Sequence, residues 1–180
     1  MINYVAFLRG INVGGHKQIK MAELGRIFKS LGFKNVKTYI LSGNVLFETT
    51  RTKPEVLIRM IETGLHSALG YEVAIILRTI AELEALMKSD PFKQVKPDAD
   101  TKKYVTFLSE KHKSKLKVPV WSPKKDWEII HLKPREVFVV AYPVKGRYGE
   151  SMALIEKEFG KSSTTRNWNT VIKVLALAET

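Results

Sequence analysis

The chain has 180 residues, 44% of them apolar, which is enough hydrophobic material for one large or two small packed domains and excludes a disordered polymer. Its 30 lysines and arginines exceed its 18 aspartates and glutamates, giving a formal charge of +12, and the lack of cysteine excludes disulfides, thiol nucleophiles and cysteine metal sites. Residues 91–180 hold 18 of the basic residues against 10 acidic ones, a bias that suits nucleic acid, anionic lipid or phosphorylated metabolites as partners.

Residues 3–9 read as a strand that runs into Leu8-Arg9-Gly10-Ile11-Asn12-Val13-Gly14-Gly15. One arginine, one asparagine and three glycines among the last seven of these positions are poor core material. They suit a backbone that approaches a ligand closely, so Arg9, Gly10, Asn12, Gly14 and Gly15 are candidate binding residues. The spacing is neither G-x-G-x-x-G nor a P-loop, because His16 and Lys17 stand where Lys and then Ser or Thr are required. The alternative is a glycine turn whose Arg9 pairs with a carboxylate.

Met21, Leu24, Ile27, Phe28 and Leu31 then fall at helical spacing, with Gly32 where a C-cap glycine belongs. Val36–Leu41 and Val45–Thr49 are strand-like runs joined by the turn Ser42-Gly43-Asn44. Pro54 opens a second helix striped by Leu57, Ile61, Leu65 and Ala68, Gly70 ends it, and Glu72–Leu77 is the fourth strand. The β-α-β-β-α-β order is that of a ferredoxin-like unit, two helices on one face of a four-stranded antiparallel sheet. Val73-Ala74-Ile75-Ile76-Leu77 is apolar at both parities, so both sheet faces are expected to be covered, with the second half as the cover.

Thr79 and Glu82 form a capping box for a helix carrying Leu83, Leu86 and Met87, and Asp90-Pro91 stops it. Residues 91–102 read as a linker. Strands are expected at Tyr104–Ser109, Trp127–Leu132 and Val137–Tyr142, then a helix marked by Met152, Ile155 and Phe159 and ended by Gly160, then a last helix over about Thr165–Ala178. The fold class is therefore α+β, with two ferredoxin-like halves. These are 1–78 and 103–180, joined by a helix and linker at 79–102, the second half a degenerate repeat without its last strand and without convincing sequence identity to the first.

Ser162-Ser163-Thr164-Thr165-Arg166-Asn167-Trp168-Asn169-Thr170 opens that last helix in this reading, where Thr165, Arg166, Asn167 and Asn169 suit a phosphate or carboxylate at a helix N-terminus. The alternative is a capped helix with Trp168 in the core and Arg166 in a salt bridge. Lys111, Lys113, Lys115 and Lys117 occupy every second position, which gives one charged edge if extended and charge all round if helical. The RNA-recognition sheet is disfavoured, since Gly43–Glu48 carries a single aromatic. His16, His66, His112 and His131 are scattered without ligand spacing, Ser42 lacks a nucleophile setting, and Glu82/Glu84 and Glu156/Glu158 diverge on their helices, so no metal, cofactor or general base is nominated.

The combined motifs Phe7–Gly15, Met21–Leu24, Thr38–Phe47 and Thr165–Thr170 closely resemble the bacterial family known as domain of unknown function 1697, over essentially the whole chain. The resemblance implies a cytosolic protein of two ferredoxin-like halves and transfers no activity; Leu41 stands where that family often has glutamine. Three readings follow. The first is a small anionic or phosphorylated ligand, such as a nucleotide, held in a cleft where Arg9, Asn12, Ser42, Gly43, Asn44, Arg166, Asn167 and Asn169 converge. The second is nucleic-acid binding through the lysine-rich second half, and the third is an enzyme on a phosphorylated substrate, with Arg9 and Arg166 stabilising charge. The lack of a leader-like start and of any apolar run of about 18 residues leads us to expect a cytoplasmic protein that does not enter membranes.

Overall fold

The computed structural model describes residues 1–50, 52–96, 100–149 and 152–180, so residues 97–99 of the expected linker lie outside the described residues. The chain divides into two compact units, Met1–Ala85 with Lys173–Thr180, and Leu86–Ile172.

The first unit contains β1 (Ile2–Leu8), α1 (Met21–Ser30), β2 (Lys34–Tyr39), β3 (Asn44–Thr49), α2 (Pro54–Leu69), β4 (Ile75–Thr79) and the start of α3 (Ile80–Lys88). Its sheet has the order β2-β3-β1-β4 with every neighbouring pair antiparallel. The helices form where spacing and punctuation agree. Gly32 takes φ 86 just past α1, Pro54 is the first residue of α2, and Gly70 at φ 77 returns its N–H to the His66 carbonyl at 2.8 Å. The inner stripes Leu24, Ile27 and Phe28 of α1 and Leu57, Ile61 and Leu65 of α2 share one buried core with Tyr4, Ala6, Leu8, Val45, Phe47, Ile75 and Leu77 from the sheet. Phe28, Phe33 and Phe47 pack with their rings tilted and centroids 4.4–5.9 Å apart within it. Val5, Phe7, Leu46 and Ile76, of the opposite parity, are buried as well, so neither face of this sheet is open.

Two boundaries in this unit differ from the sequence reading. The turn between β2 and β3 is Ile40–Gly43, with Ile40 at φ 48 and Gly43 at φ 75, and Asn44 is already the first residue of β3. β4 begins at Ile75 rather than at Glu72, because its partner β1 ends at Leu8, paired with Ile75, and only the Arg9 N–H to Ala74 carbonyl bond of 2.9 Å extends the ladder.

The second unit carries the rest of α3, then β5 (Lys102–Leu108), an extended stretch through residue 119, β6 (Val120–Trp121), β7 (Trp127–Lys133) and β8 (Glu136–Ala141). A small hairpin of β9 (Pro143–Val144) and β10 (Arg147–Tyr148) follows, then α4 (Met152–Phe159), β11 (Ser163–Asn167) and α5 (Trp168–Ala178), whose residues from Lys173 belong to the first unit. The sheet order is β11-β5-β8-β7-β6. The last strand that the sequence reading left out is therefore present. Ser163–Asn167 pairs antiparallel with β5 from Ser163 opposite Leu108 to Asn167 opposite Tyr104, and α5 starts at Trp168, not at Thr165. Strands β5, β7, β8 and β11 stand in the order that β1, β2, β3 and β4 take in the first unit, with the extended stretch where α1 stands in the chain order.

The repeat reaches the residues. The central strands are Tyr4-Val5-Ala6-Phe7-Leu8 and Tyr104-Val105-Thr106-Phe107-Leu108, and Phe7 faces Asn44 as Phe107 faces Glu136, each partner the first residue of its strand. The identity is confined to this short run of the central strands, and the sequence reading found no convincing identity between the halves.

Candidate functional site

The glycine motif after β1 folds back on itself. Val13 and His16 form a β-bridge, the Asn12 N–H reaches the Lys17 carbonyl at 3.1 Å, and Gly14 and Gly15 between them take φ 58 and 78. Positive φ at both central residues is what a two-residue hairpin turn with the native twist requires, so Gly14 and Gly15 are accounted for by the turn. Asn12, itself at φ 54, staples this hairpin to the unit. Its Oδ1 accepts the Ile19 N–H at 2.9 Å, while its Nδ2 donates to the carbonyls of Ile19 at 3.2 Å and Leu41 at 2.8 Å.

The Ile40–Gly43 turn packs against the same segment. The Leu8 N–H bonds the Gly43 carbonyl at 2.8 Å, and a Cβ on Gly43 would stand 2.5 Å from Ile11 Cδ1 and 3.0 Å from Leu8 Cβ. Asn44, wholly buried, donates Nδ2 to the Tyr39 carbonyl at 2.9 Å and to Ser42 Oγ at 3.2 Å. The first two motifs therefore meet within one unit. Gly10 and Ser42 are exposed on their surface and Arg9 is half-buried there.

Thr165, Arg166, Asn167 and Asn169 belong to the β11–α5 junction. Asn167 Oδ1 accepts the Asn169 N–H at 2.9 Å and so caps α5, and the Thr165 hydroxyl is 2.7 Å from that of Thr106 on β5. Trp168 is buried edge-on against Phe92 at 5.2 Å. Arg166 is 6% exposed and burial lowers its guanidinium pKa to about 10; Nη1 donates to Thr164 Oγ1 at 2.8 Å and to the Thr165 carbonyl at 2.9 Å. Arg78 on β4 is its counterpart, 1% exposed, with Nη1 on the Leu77 carbonyl at 2.9 Å. Each arginine faces a valine of its central strand, Val5 or Val105, and precedes a residue, Thr79 or Asn167, that caps the next helix. Sequence reasoning passed over Arg78, although an arginine within an apolar strand is a visible signal.

The lysine stretch is extended. From 111 to 121 the odd positions, Lys111, Lys113, Lys115, Lys117, Pro119 and Trp121, are exposed, and the even ones, His112, Ser114, Leu116, Val118 and Val120, are turned inward. Leu116, Val118 and Val120 pack on the core of Leu108, Trp127, Ile129, Val137 and Val139. The His112 N–H bonds the Pro134 carbonyl at 2.8 Å, its ring meets Phe159 edge-on at 5.2 Å, and the Ser114 hydroxyl donates to Glu158. These anchors fix the parity, and alternate residues of an extended chain stand about 6.6 Å apart, so the four ammonium groups form one row about 20 Å long. The row ends on Trp121, 45% exposed, whose indole lies 5.5 Å from the Tyr142 ring at 18°. Burial first, and then a hydrogen bond to Glu128, push the Tyr142 hydroxyl well above its ordinary range.

Among the described residues no three His, Asp or Glu side chains could hold a metal, and no helix is long and apolar enough to cross a membrane.

Mixed α and β structure, with antiparallel sheets and five helices among the described residues, makes this an α+β protein. The chain belongs to the family of proteins of unknown function DUF1697, whose model matches residues 1–138. Its fold is similar to that of a conserved bacterial protein, SP0830 from Streptococcus pneumoniae, with 22% identity, 98% of each chain covered and a TM-score of 0.71. No curated protein matches the chain.

Proposed function

We propose that this protein binds single-stranded nucleic acid along the row Lys111, Lys113, Lys115, Lys117 and Trp121. The observation that carries the reading is the strict alternation from 111 to 121, which exposes four lysines and one indole while the other parity packs inward, Leu116, Val118 and Val120 on the core. A row of cations beside an aromatic face is the combination that holds phosphates and stacks a base without reading sequence. Tyr142 backs one face of the Trp121 ring, which leaves the other for a base. The amide donors of Asn12 and Asn44 are engaged by carbonyls and a hydroxyl of the fold, and for that reason we place the anionic partner on the lysine row and not on the motifs that hold them. The cytoplasm is the compartment this reading requires.

Fluorescence anisotropy with labelled oligothymidylate and a duplex of equal length tests it. Stacking contributes about 1–3 kcal/mol per base, so Trp121→Ala is expected to weaken the single strand about 5- to 150-fold, with Trp121→Phe largely restoring it. An affinity for the single strand that neither Trp121→Ala nor Lys113→Glu with Lys115→Glu alters would remove the reading.

A further inference from the structure

The second unit carries an open-sided cavity of about 730 Å³, within the range of small-molecule sites, which shares Tyr142 with the lysine-row reading but takes its other polar lining from residues that reading does not use. Its lining grades from a buried acceptor to exposed cations. Glu128 on β7 is 9% exposed, the Tyr142 hydroxyl donates to its Oε1 at 2.5 Å, and no other donor or cation meets this carboxylate among the described residues. A carboxylate offers about four lone-pair sites, so most of its capacity to accept remains unspent where it lines the cavity. Ile130 adds an apolar wall, and Lys93 and Lys96, both exposed, stand on the lining with flexible ammonium groups.

We propose that this cavity binds a guanine nucleotide, with the base on Glu128 and the phosphate on Lys93 and Lys96. The choice of base follows from donor patterns. Guanine presents two adjacent donors, the ring N1–H and the exocyclic amino group, which together match the two oxygens of a carboxylate. Adenine and cytosine each set an amino donor beside a ring nitrogen whose lone pair would face the carboxylate, and uracil sets its one N–H between two carbonyls. Tyr142 fixes the Glu128 side chain through one lone pair of Oε1, which leaves the second lone pair of Oε1 and both of Oε2 for the two donors of guanine. The lysines suit the phosphate as mobile point charges, which fits a site that selects the base and accepts different phosphate positions.

Isothermal titration of GMP, AMP, CMP and UMP into the full chain is the test. GMP is expected to bind at least tenfold more tightly than the other three. Glu128→Gln, which puts an amide donor against the donors of guanine, is expected to abolish that preference, and Lys93→Ala with Lys96→Ala to weaken GMP at least fivefold while leaving guanosine unchanged. Equal binding of all four nucleotides by the wild type, or binding of none, overturns the proposal without any variant. GMP affinity that survives in Glu128→Gln overturns it too. Lys113→Glu with Lys115→Glu leaves GMP binding unchanged if the cavity is right, so failure of the lysine row and failure of this site are told apart.

Discussion

Replacement of Asn12 by alanine should expose how the glycine motif works. Three hydrogen bonds end on this side chain, two with Ile19 and one with the Leu41 carbonyl. Each is worth about 1 kcal/mol net, and water takes over much of the exposed bond to Leu41, so about 2 kcal/mol is lost with them. Alanine at φ 54 adds about 1 kcal/mol of backbone cost, for a total of about 3 kcal/mol. At this chain length that lowers the melting temperature by about 6–12 °C. Thermal unfolding followed by circular dichroism measures it, with two companions: Asn12→Gly removes the bonds and spares the backbone, and Asn12→Asp keeps the acceptor for the Ile19 N–H. The expected order of stability is wild type, Asp, Gly, Ala. A melting temperature for Asn12→Ala within about 1 °C of the wild type would refute the stapling argument.

Two further substitutions separate packing from conformation and test the buried phenol. Gly43→Ala should destabilise by about 3 kcal/mol or more, since its Cβ meets Ile11 and Leu8 on top of a left-handed backbone, whereas Gly10→Ala, with open space at its φ of 66, should cost only about 1–2 kcal/mol; equal urea midpoints for the two would contradict this. Tyr142→Phe should lower stability at neutral pH by leaving the Glu128 carboxylate without its donor. Because folding raises the Tyr142 hydroxyl above its ordinary 10.0, that contribution is fully present below pH 10 and is lost as pH rises beyond it, so the gap between wild type and variant narrows above pH 10. A gap that widens there would show that the sign of this coupling is wrong.

Helices were legible where local signals agreed. Pro54, Gly70, Gly32 and the Thr79–Glu82 capping box each sit in the role the sequence assigns, because caps and turns are set by neighbours in the chain. β11 was not legible. Thr164-Thr165 carries a β preference, but serine, arginine and asparagine around it read as a polar cap, and what makes this run a strand is pairing with β5, more than fifty residues earlier. The lysine row was half legible. Alternation was visible, but the choice between strand and helix is made by the Pro134 carbonyl, Glu158 and the core under Leu116, none of them near in sequence. The glycine motif carried the opposite lesson. Its composition suggested close approach to a ligand, and two of its glycines are explained by the hairpin turn at Gly14-Gly15. Tyr-Val-x-Phe-Leu occurs in both central strands, and it is short enough to be missed until Phe7–Asn44 and Phe107–Glu136 are seen to pair alike.

The salt dependence of oligothymidylate binding tests the central claim most directly. Four lysines on the phosphates of a single strand give a slope of about −2.8 for log Kobs against log salt, and Lys113→Glu with Lys115→Glu should flatten it to about −1.4 or less. A wild-type slope near zero, or one that the double reversal leaves unchanged, would mean that the row from Lys111 to Lys117 is only solvated surface.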